Sequence, residues 1–501
     1  MRNNDSFPKK PTLQFLYFPF YPLLIPAFFL LHGYARFLDL IPLSDLCIYY
    51  LVSGSIITVA LLLCRRYLKS VRKAAIVIGV CSILYFFFGD IQLAILGIPA
   101  LSGLGKYSSL IIIFLILISL IAVSLKRSKG NFVRLTSYLN VVFVIFCLFD
   151  LIVIVSVFTA RKKESKTEIS SDVRHCHSCV TPDIYLVILD EYAGVKSLKS
   201  NFNFDNSAFA GFFKSRGFFV PESTHSNYSA TAISMASLFT MNKVLWAVKR
   251  NKLIAEDHAR AEQMMDTSMV TRILKDYHYS FYNYSIFNLA SQASRFDPGF
   301  LPTQLKLITA QTFATKFTKD VFGSIQAGLG ARFRWAEEYH ENAFRNGNQR
   351  LMDLTLSSTS NKSQKPKFVY THLLMPHTPY VFDSLGHQVR NKAFKDLRKG
   401  EEDSLYLSYL VYTNKIIITF VDSLMTATKN KAVVMVMSDH GYRKHAPYEI
   451  GKVNDNFSAV FIPGGDYHLY YDSVSNVNQF RLLFNTMFRA RLPLLTDKSY
   501  F

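Results

Sequence analysis

Residues 433–441 read VVMVMSDHG, and this stretch decides the fold of the chain. The first five residues are apolar, which is typical of a short buried strand in a parallel sheet. The strand then gives way to a carboxylate and an imidazole, Asp439 and His440. Open α/β sheets bind their ligands at the carboxyl ends of strands. The pair suits a divalent metal ion, although a capped turn would use the same two residues.

The composition indicates a membrane protein with one large additional domain. The chain has 501 residues, half of them apolar, including 43 Phe and 28 Tyr. That apolar content is too high for an ordinary soluble protein. The formal net charge of +20 favours anionic partners such as lipid headgroups or phosphorylated glycans. Nucleic acid fits poorly as a partner, because a membrane-tethered chain with few exposed basic runs lacks the usual footprint.

Five apolar segments approach the roughly 20 residues that cross a bilayer. They lie near residues 13–32, 46–64, 74–97, 108–125 and 137–158. The first contains three prolines, which predicts a kinked or partly re-entrant segment. The third is interrupted by Gly89 and Asp90.

Basic residues between these segments set the predicted orientation. The loops after the second and fourth segments and the N-terminus are rich in Lys and Arg, which places them in the cytoplasm. Five crossings then leave the rest of the chain outside. We therefore predict a multi-pass protein of the inner (cytoplasmic) membrane with a periplasmic or otherwise extracytoplasmic domain. A cleaved signal peptide is a poor alternative, because no small-residue cleavage site follows the first segment.

These features predict a transmembrane domain over residues 1–158, a linker over 159–180 and an outer domain over 181–501. The linker is charged and aperiodic and ends in HCHSC. Zinc is one reading of this motif, but four ligands within five residues cannot close a tetrahedral site without strain. We therefore predict a local disulfide between Cys176 and Cys179, as expected in an oxidising compartment.

Two further stretches of the outer domain resemble the first. The apolar run over residues 184–189 delivers Asp190 and Glu191 at its end, where a helix-capping acid is the simpler interpretation. The run FVYTHLLMPHTPYVFD carries His372 and His377, either of which is structural when taken alone.

A hydroxyl residue begins a candidate helix. In SNYSATAISMASLF, Ser229 and Thr231 lie at the start of an Ala/Ser/Met-rich run. A helix N-terminus is partially positive and has free N–H groups, so a hydroxyl there suits a nucleophile whose product is an anion. An ordinary N-cap is the competing interpretation.

The remaining outer domain alternates helix and strand patterns. Helices are predicted near residues 255–275, 333–357 and 401–428, and a strand at FSAVFIPGG precedes a helix at VNQFRLLFNTMF. Alternation of this kind favours a mostly parallel sheet covered by helices.

In a parallel sheet the strand ends gather at one edge, which predicts a zinc or manganese site. Its four predicted ligands are an acid from the pair Asp190 and Glu191, the Thr231 oxygen, Asp439 and His440. The metal would help to deprotonate the threonine and neutralise charge on the group under attack. We predict that His377 binds the transferred group or protonates the leaving oxygen. Further candidates are Asp190, His372 and His445.

The four motifs YLVILDEY, SNYSATAISMASLF, THLLMPHTPYVFD and VVMVMSDHG resemble the sulfatase-like branch of the alkaline phosphatase superfamily. The chain looks most like lipoteichoic acid synthases and lipid A phosphoethanolamine transferases. The resemblance implies five membrane helices followed by an alkaline-phosphatase-like α/β sandwich. It also implies a metal-binding acid at Glu191, a threonine nucleophile at Thr231, a metal pair at Asp439 and His440, and a substrate contact at His377.

Two departures from the family bear on the chemistry. The Cys/Ser-x-Pro-x-Arg signature of true sulfatases is missing around Thr231, which argues against sulfate ester hydrolysis by a formylglycine. The cysteine pair that flanks the nucleophile in many phosphoethanolamine transferases is also absent, and Ser237 stands at one of its positions.

The resemblance also implies that Asp190 is a second metal ligand, as neighbouring acids are in two-metal relatives.

The resemblance implies transfer of phosphoglycerol or phosphoethanolamine from a phospholipid to a glycan or glycolipid, through a phospho-threonine. A hydrolase or phosphodiesterase of the same fold is one alternative, and a non-catalytic assembly factor is another. The donor headgroup, the acceptor, the metal and the oligomeric state stay open at this point.

Overall fold

A computed structural model describes residues 14–38, 40–164, 176, 178–250, 253–297, 305–318, 334–361, 363–389, 400–443 and 453–500. The chain divides into two compact units. The first contains Met1–Thr167 and Pro302–Phe333, and the second contains Glu168–Leu301 and Arg334–Phe501. The predicted outer domain contained all of 302–333, so the observed division differs from the predicted bounds at this segment.

Six helices of the first unit account for all five apolar segments. They are α1 (Tyr21–Arg36), α2 (Leu43–Leu68), α3 (Val71–Phe86), α4 (Phe88–Leu96), α5 (Tyr107–Arg127) and α6 (Val133–Glu164). Helix α1 begins after Pro19, with Pro22 in its first turn, where a missing N–H does no harm. It is 16 residues long, which is short for a full crossing.

Helices α3 and α4 form one bent pair, with an angle of 67° between them. The break frees backbone groups that apolar surroundings cannot hydrate. One of them, the Gly89 N–H, donates to the Gln311 carbonyl over 2.8 Å. The rings of Phe88 and Phe313 pack edge to face beside it, 5.1 Å apart. These contacts explain why the described residues 305–318 belong to the first unit.

Four helices among the described residues are long and apolar enough to cross a membrane, or five if the bent pair is counted as one span. One of the four is α16 (Glu401–Ala427), which lies in the second unit. Its residues Leu410, Ile417 and Val421 are buried in the hydrophobic core of that unit. Helix α16 is therefore an amphipathic core helix, and the membrane candidates are those of the first unit.

The second unit contains a sheet of five strands in the order β3-β4-β1-β5-β7. The strands are β1 (Ile184–Leu189), β3 (Ser280–Tyr284), β4 (Lys367–Leu373), β5 (Val433–Ser438) and β7 (Ser458–Phe461). Only β7 among them runs antiparallel to its neighbour. Strands β2 (Thr224–His225) and β6 (Asp455–Asn456) form a separate small ladder. The predicted mostly parallel sheet is confirmed.

Helices cover this sheet. Besides α16, the described helices of the second unit are α7 (Val195–Phe202), α8 (Ser207–Ser215), α9 (Thr231–Thr240), α10 (Leu245–Val248), α11 (Ala255–Asp266), α12 (Met269–Asp276), α15 (Arg334–Thr359) and α17 (Asn476–Phe488). Two short helices, α13 (Lys306–Thr309) and α14 (Phe313–Lys316), belong to the first unit. The predicted helix near 255–275 is broken into α11 and α12. Ser268 caps the second piece by accepting a hydrogen bond from the Thr271 N–H.

Strand register brings the chemically interesting residues to one edge. Leu189 at the end of β1 is level with Leu373 of β4 and with Ser438 of β5. All three strands are fully buried. The residues that follow β1 and β5, Asp190 and Asp439, therefore emerge side by side at the carboxyl edge of the sheet. At the opposite end of β1, Cys176 and Cys179 form the predicted disulfide before the strand begins.

Candidate active site

The turn after β5 is held from several directions. The Ser234 hydroxyl on α9 donates to the Asp439 carbonyl over 2.6 Å, and the Asn476 amide donates to the same oxygen over 3.1 Å. The Ser438 hydroxyl accepts from the Tyr192 N–H over 3.0 Å. Asp439 is fully buried. Buried polar groups with this many partners fix a backbone precisely enough to position side chains.

Gly441 follows the Asp-His pair for a reason that the sequence does not reveal. Its φ lies outside the left-handed region, so the turn itself does not require glycine. Its N–H donates to the Val453 carbonyl over 2.9 Å. A Cβ on Gly441 would lie 2.2 Å from the backbone oxygen of Asp455. Close approach of two backbones is what excludes a side chain here.

Gly441→Ala is expected to destabilise the second unit by about 3 kcal/mol, because neither backbone can yield without disturbing the strands behind it. Thermal unfolding of the purified chain measures the effect. Gly211→Ala is the matched control, since a Cβ at that position in α8 meets nothing within 4 Å. It should stabilise by about 0.5–1 kcal/mol through helix propensity. Equal melting temperatures for the two variants would contradict the close-approach argument.

Thr231 is the first residue of α9 and points at the turn after β5. Its hydroxyl oxygen lies 3.1 Å from Nε2 of His440. The other ring nitrogen of His440, Nδ1, lies 2.8 Å from the Gly441 carbonyl. A carbonyl can only accept, so Nδ1 carries the proton. In the neutral ring, which is the form that binds a metal, the lone pair is therefore on Nε2 and faces the threonine hydroxyl.

Two carboxylate oxygens lie beside His440, and a third, on Glu191, is buried next to His377. Asp439 Oδ2 and Asp190 Oδ1 lie 3.1 and 3.9 Å from His440 Nε2. These two oxygens and Glu191 Oε2 are buried and accept no hydrogen bond from any described residue. Buried anionic oxygens without donors are unfavourable unless a cation compensates them. The donor set of carboxylates, imidazole and hydroxyl fits a divalent metal ion.

The charges in this site oppose the effect of burial. Burial alone raises the pKa of the Asp439 carboxyl, but His440 beside it lowers that pKa well below its usual range. Burial and Arg443 lower the pKa of His440, but the carboxylates of Asp439 and Asp190 raise it overall. Asp439 is therefore ionised at neutral pH, as a metal ligand must be.

His372 approaches the same carboxylates from within β4. Its Nε2 lies 3.3 Å from Asp190 Oδ2, and its Nδ1 lies 2.8 Å from the Tyr370 hydroxyl. Asp190, His372 and Asp439 offer one ligand atom each within 4.8 Å of one another. Two of the three residues that the sequence analysis named as further candidates, Asp190 and His372, thus share a potential metal cluster with Asp439.

Glu191 has a different environment from Asp190. It adopts a left-handed conformation, with φ of 63°, and its N–H donates to Asp439 Oδ1 over 3.0 Å. Its Oε1 accepts from the backbone N–H and the Nε of Arg443, over 3.2 and 3.3 Å. Burial raises the pKa of Glu191, but Arg443 first, then His377 and His440, lower it overall. The predicted metal-binding acid is thus also the partner of an arginine.

Arg443 is the functional candidate that sequence reasoning missed. Its Nη2 lies 3.1 Å from Nε2 of His377, and its Nη1 donates to the Ser229 carbonyl over 3.4 Å. His377 Nε2 is 3.8 Å from Glu191 Oε2. The available signal was a cation three residues after His440, but nothing in the sequence links it to Glu191. His445 lies outside the described residues.

The structure therefore brings together seven of the eight residues singled out from the sequence. They are Asp190, Glu191, Thr231, His372, His377, Asp439 and His440. Contacts link them at the carboxyl edge of the sheet, and their individual roles stay predictions.

Comparison with known proteins identifies the family. The sulfatase family matches residues 211–471, just over half of the chain. The chain belongs to the sulfatase family. This match confirms the predicted resemblance. Thr231, His377, Asp439 and His440 of this sulfatase-family chain lie inside the matched region, whereas Asp190 and Glu191 lie before it.

Several solved structures are similar to this sulfatase-family chain. The integral membrane lipooligosaccharide phosphoethanolamine transferase A (EptA) from Neisseria meningitidis has 12% identity and a TM-score of 0.37, covering 96% of each chain. Its separate soluble domain has 13% identity and a TM-score of 0.38, covering 63% of this chain and 90% of its own. The C-terminal periplasmic domain of EcEptC from Escherichia coli, in complex with Zn, has 10% identity and a TM-score of 0.39, covering 63% and 84%. No curated protein matched the chain.

Proposed function

We propose that this sulfatase-family enzyme is a metal-dependent membrane phosphotransferase. It would move phosphoglycerol or phosphoethanolamine from a phospholipid to a cell-envelope glycan or glycolipid through a phospho-threonine. The observation that carries the proposal is the 3.1 Å approach of the Thr231 hydroxyl to His440 Nε2, beside buried carboxylate oxygens that have no donors among the described residues.

The residues that would hold a divalent metal are Thr231, Asp439, His440 and one or both of the acids Asp190 and Glu191. Zinc and manganese both accept such oxygen and nitrogen ligands. When bound, the ion would neutralise phosphoryl charge and lower the pKa of the threonine hydroxyl. The orphaned oxygens of all three acids support this fit.

The proposed reaction has two displacement steps. In the first, Thr231 Oγ1 forms a bond to the phosphorus of the donor, and the bond from phosphorus to the glycerol oxygen of diacylglycerol breaks. The proton lost by Thr231 is balanced by the proton that diacylglycerol gains. In the second, an acceptor hydroxyl bonds to phosphorus, the bond to Thr231 breaks, and the acceptor proton replaces the one on Thr231. The phosphodiester count is unchanged, so no energy source is required.

The position of Thr231 also favours the attack. As the first residue of α9, it lies beside backbone N–H groups that have no partner within the helix. These donors and the partial positive charge of the helix N-terminus stabilise a phosphorylated threonine oxygen. The membrane helices of the first unit would keep the site near donor headgroups, with the catalytic unit outside the inner membrane as predicted.

A labelled-donor assay tests the proposal. Purified full-length enzyme would be incubated with vesicles that contain phosphatidylglycerol or phosphatidylethanolamine labelled in the headgroup, with and without lipid A or a glycan acceptor. Transfer predicts label on the acceptor together with release of diacylglycerol. Label found only as free phosphoalcohol, whatever acceptor is added, would favour a phosphodiesterase. Intact donor in every arm would contradict both activities.

A further inference from the structure

We infer that Arg443 binds the phosphoryl oxygens of the substrate. To do so, its guanidinium gives up its hydrogen bonds to His377 and Ser229. This inference rests on the proposed function, because it assumes an anionic tetrahedral group beside Thr231. Neither the motifs found in the sequence nor the predicted ligand set assigns a role to this residue. The ligand class is a phosphomonoester or phosphodiester, for which inorganic phosphate is the simplest probe.

The first support is the position of the guanidinium. It contacts Glu191, His377 and the Ser229 carbonyl, so it lies between the predicted substrate histidine and the start of α9. Its side chain is 32% exposed, whereas that of Glu191 is 0% exposed. An anion that reaches Thr231 from solvent therefore meets Arg443 before it meets the buried acids.

The second support is the length of the contacts. The three side-chain hydrogen bonds of Arg443 measure 3.1 to 3.4 Å, and two of them are longer than the usual range for such bonds. A phosphoryl group offers two oxygens to the planar fork of the guanidinium, which makes shorter, charge-assisted bonds. Exchange of the neutral partners His377 and Ser229 for these oxygens is favourable, while Nε keeps its charged partner Glu191.

Arg443 also determines the proton position on His377. A guanidinium has no acceptor, so Nε2 of His377 must accept from Arg443. The Nδ1 atom of the same ring lies against the Thr378 carbonyl and carries the proton. In the resting arrangement His377 therefore presents a lone pair to the site and cannot protonate the leaving oxygen. Once phosphate draws Arg443 away, Nε2 becomes free to accept the proton of the incoming acceptor hydroxyl.

Phosphate affinity tests the inference without turnover. Inorganic phosphate would be titrated into full-length zinc-loaded enzyme in detergent and followed by calorimetry. Arg443→Gln is expected to weaken binding at least tenfold. Arg443→Lys keeps the charge opposite Glu191 and should fold normally, yet bind several-fold more weakly because it lacks the fork. The matched control is Arg216→Gln, which removes an arginine paired on the surface with Asp422 and should leave affinity unchanged.

A tautomer measurement separates a binding role from a merely structural one. In enzyme labelled with ¹⁵N-histidine, the His377 signals are identified by their loss in His377→Gln. Wild type should show the Nδ1–H form with Nε2 accepting a hydrogen bond from Arg443, and phosphate or Arg443→Gln should move the Nε2 signal toward that of a ring nitrogen without a donor, while the proton stays on Nδ1 against the Thr378 carbonyl. Arg443 variants that bind phosphate like wild type would overturn the inference, as would a wild type that binds no phosphate. A wild type that binds phosphate through Arg443 but transfers no headgroup would instead overturn the proposed function alone.

Discussion

Thr231→Ala is expected to lower kcat/KM for headgroup transfer by about four orders of magnitude or more, because it removes the proposed nucleophile. The surrounding acids and His440 stay in place, since the Thr231 hydroxyl is not a partner of their backbone contacts. Binding of donor should persist, so the loss appears in kcat. The assay is label transfer from phospholipid to acceptor under single-turnover conditions.

A control on the same helix makes this result specific. Thr240→Ala removes a hydroxyl from the last turn of α9, where it donates only to the Ala236 carbonyl, and should leave transfer unchanged. Thr231→Ser keeps a hydroxyl and should retain part of the activity. If Thr231→Ala kept more than about a tenth of wild-type activity, covalent catalysis by this residue would be wrong.

Removal of divalent metal is expected to abolish transfer and lower the melting temperature. Without a cation, the acids Asp190, Glu191 and Asp439 hold buried oxygens that no described donor satisfies. Metal present at a hundred times its dissociation constant stabilises a folded protein by about 2.7 kcal/mol. Chelation followed by titration with zinc or manganese, monitored by thermal unfolding, measures this increment and identifies the preferred ion.

Substitution of one carboxylate tests whether the metal binds at this site. Asp439→Asn should remove most of the metal-induced rise in melting temperature. Asp383→Asn is the matched control, because Asp383 and His387 form an exposed acid-histidine pair outside the site. A melting temperature and an activity that are insensitive to chelation would contradict a metal centre at this edge of the sheet.

The fold was predictable because the central strands have a distinctive sequence pattern. Strands β1, β4 and β5 are apolar runs that end in polar residues, and burial on both faces explains that pattern. Strand β3, read as SFYNY, was not predicted, because it is only partly buried at the edge of the sheet and mixes polar and aromatic residues. Local sequence carries little signal for such an edge strand.

The placement of the described stretch 305–318 was not predictable for a different reason. Its packing depends on a backbone donor, the Gly89 N–H, that is freed only because α3 and α4 are bent. A Cβ on Gly89 would clash with the Gln311 side chain. A contact between two segments so far apart in sequence leaves no periodic pattern in the sequence of either segment.

The sequence predicted which residues form the site better than it predicted the contacts between them. Acids, histidines and Thr231 lie at element ends, where parallel topology must gather them. The pairing of Glu191 with Arg443 depends instead on the left-handed turn at Glu191, which few non-glycine residues adopt. The reason for Gly441 likewise comes from the neighbouring backbone and not from its own conformation.

Mass spectrometry of the trapped enzyme tests the central claim most directly. Full-length protein would be mixed with donor phospholipid in the absence of acceptor, quenched in acid and digested. The account predicts one modified peptide, with phosphoglycerol or phosphoethanolamine on Thr231, whose mass also names the donor headgroup. An unmodified Thr231 peptide under conditions in which donor is consumed, or an adduct on another residue, would contradict it.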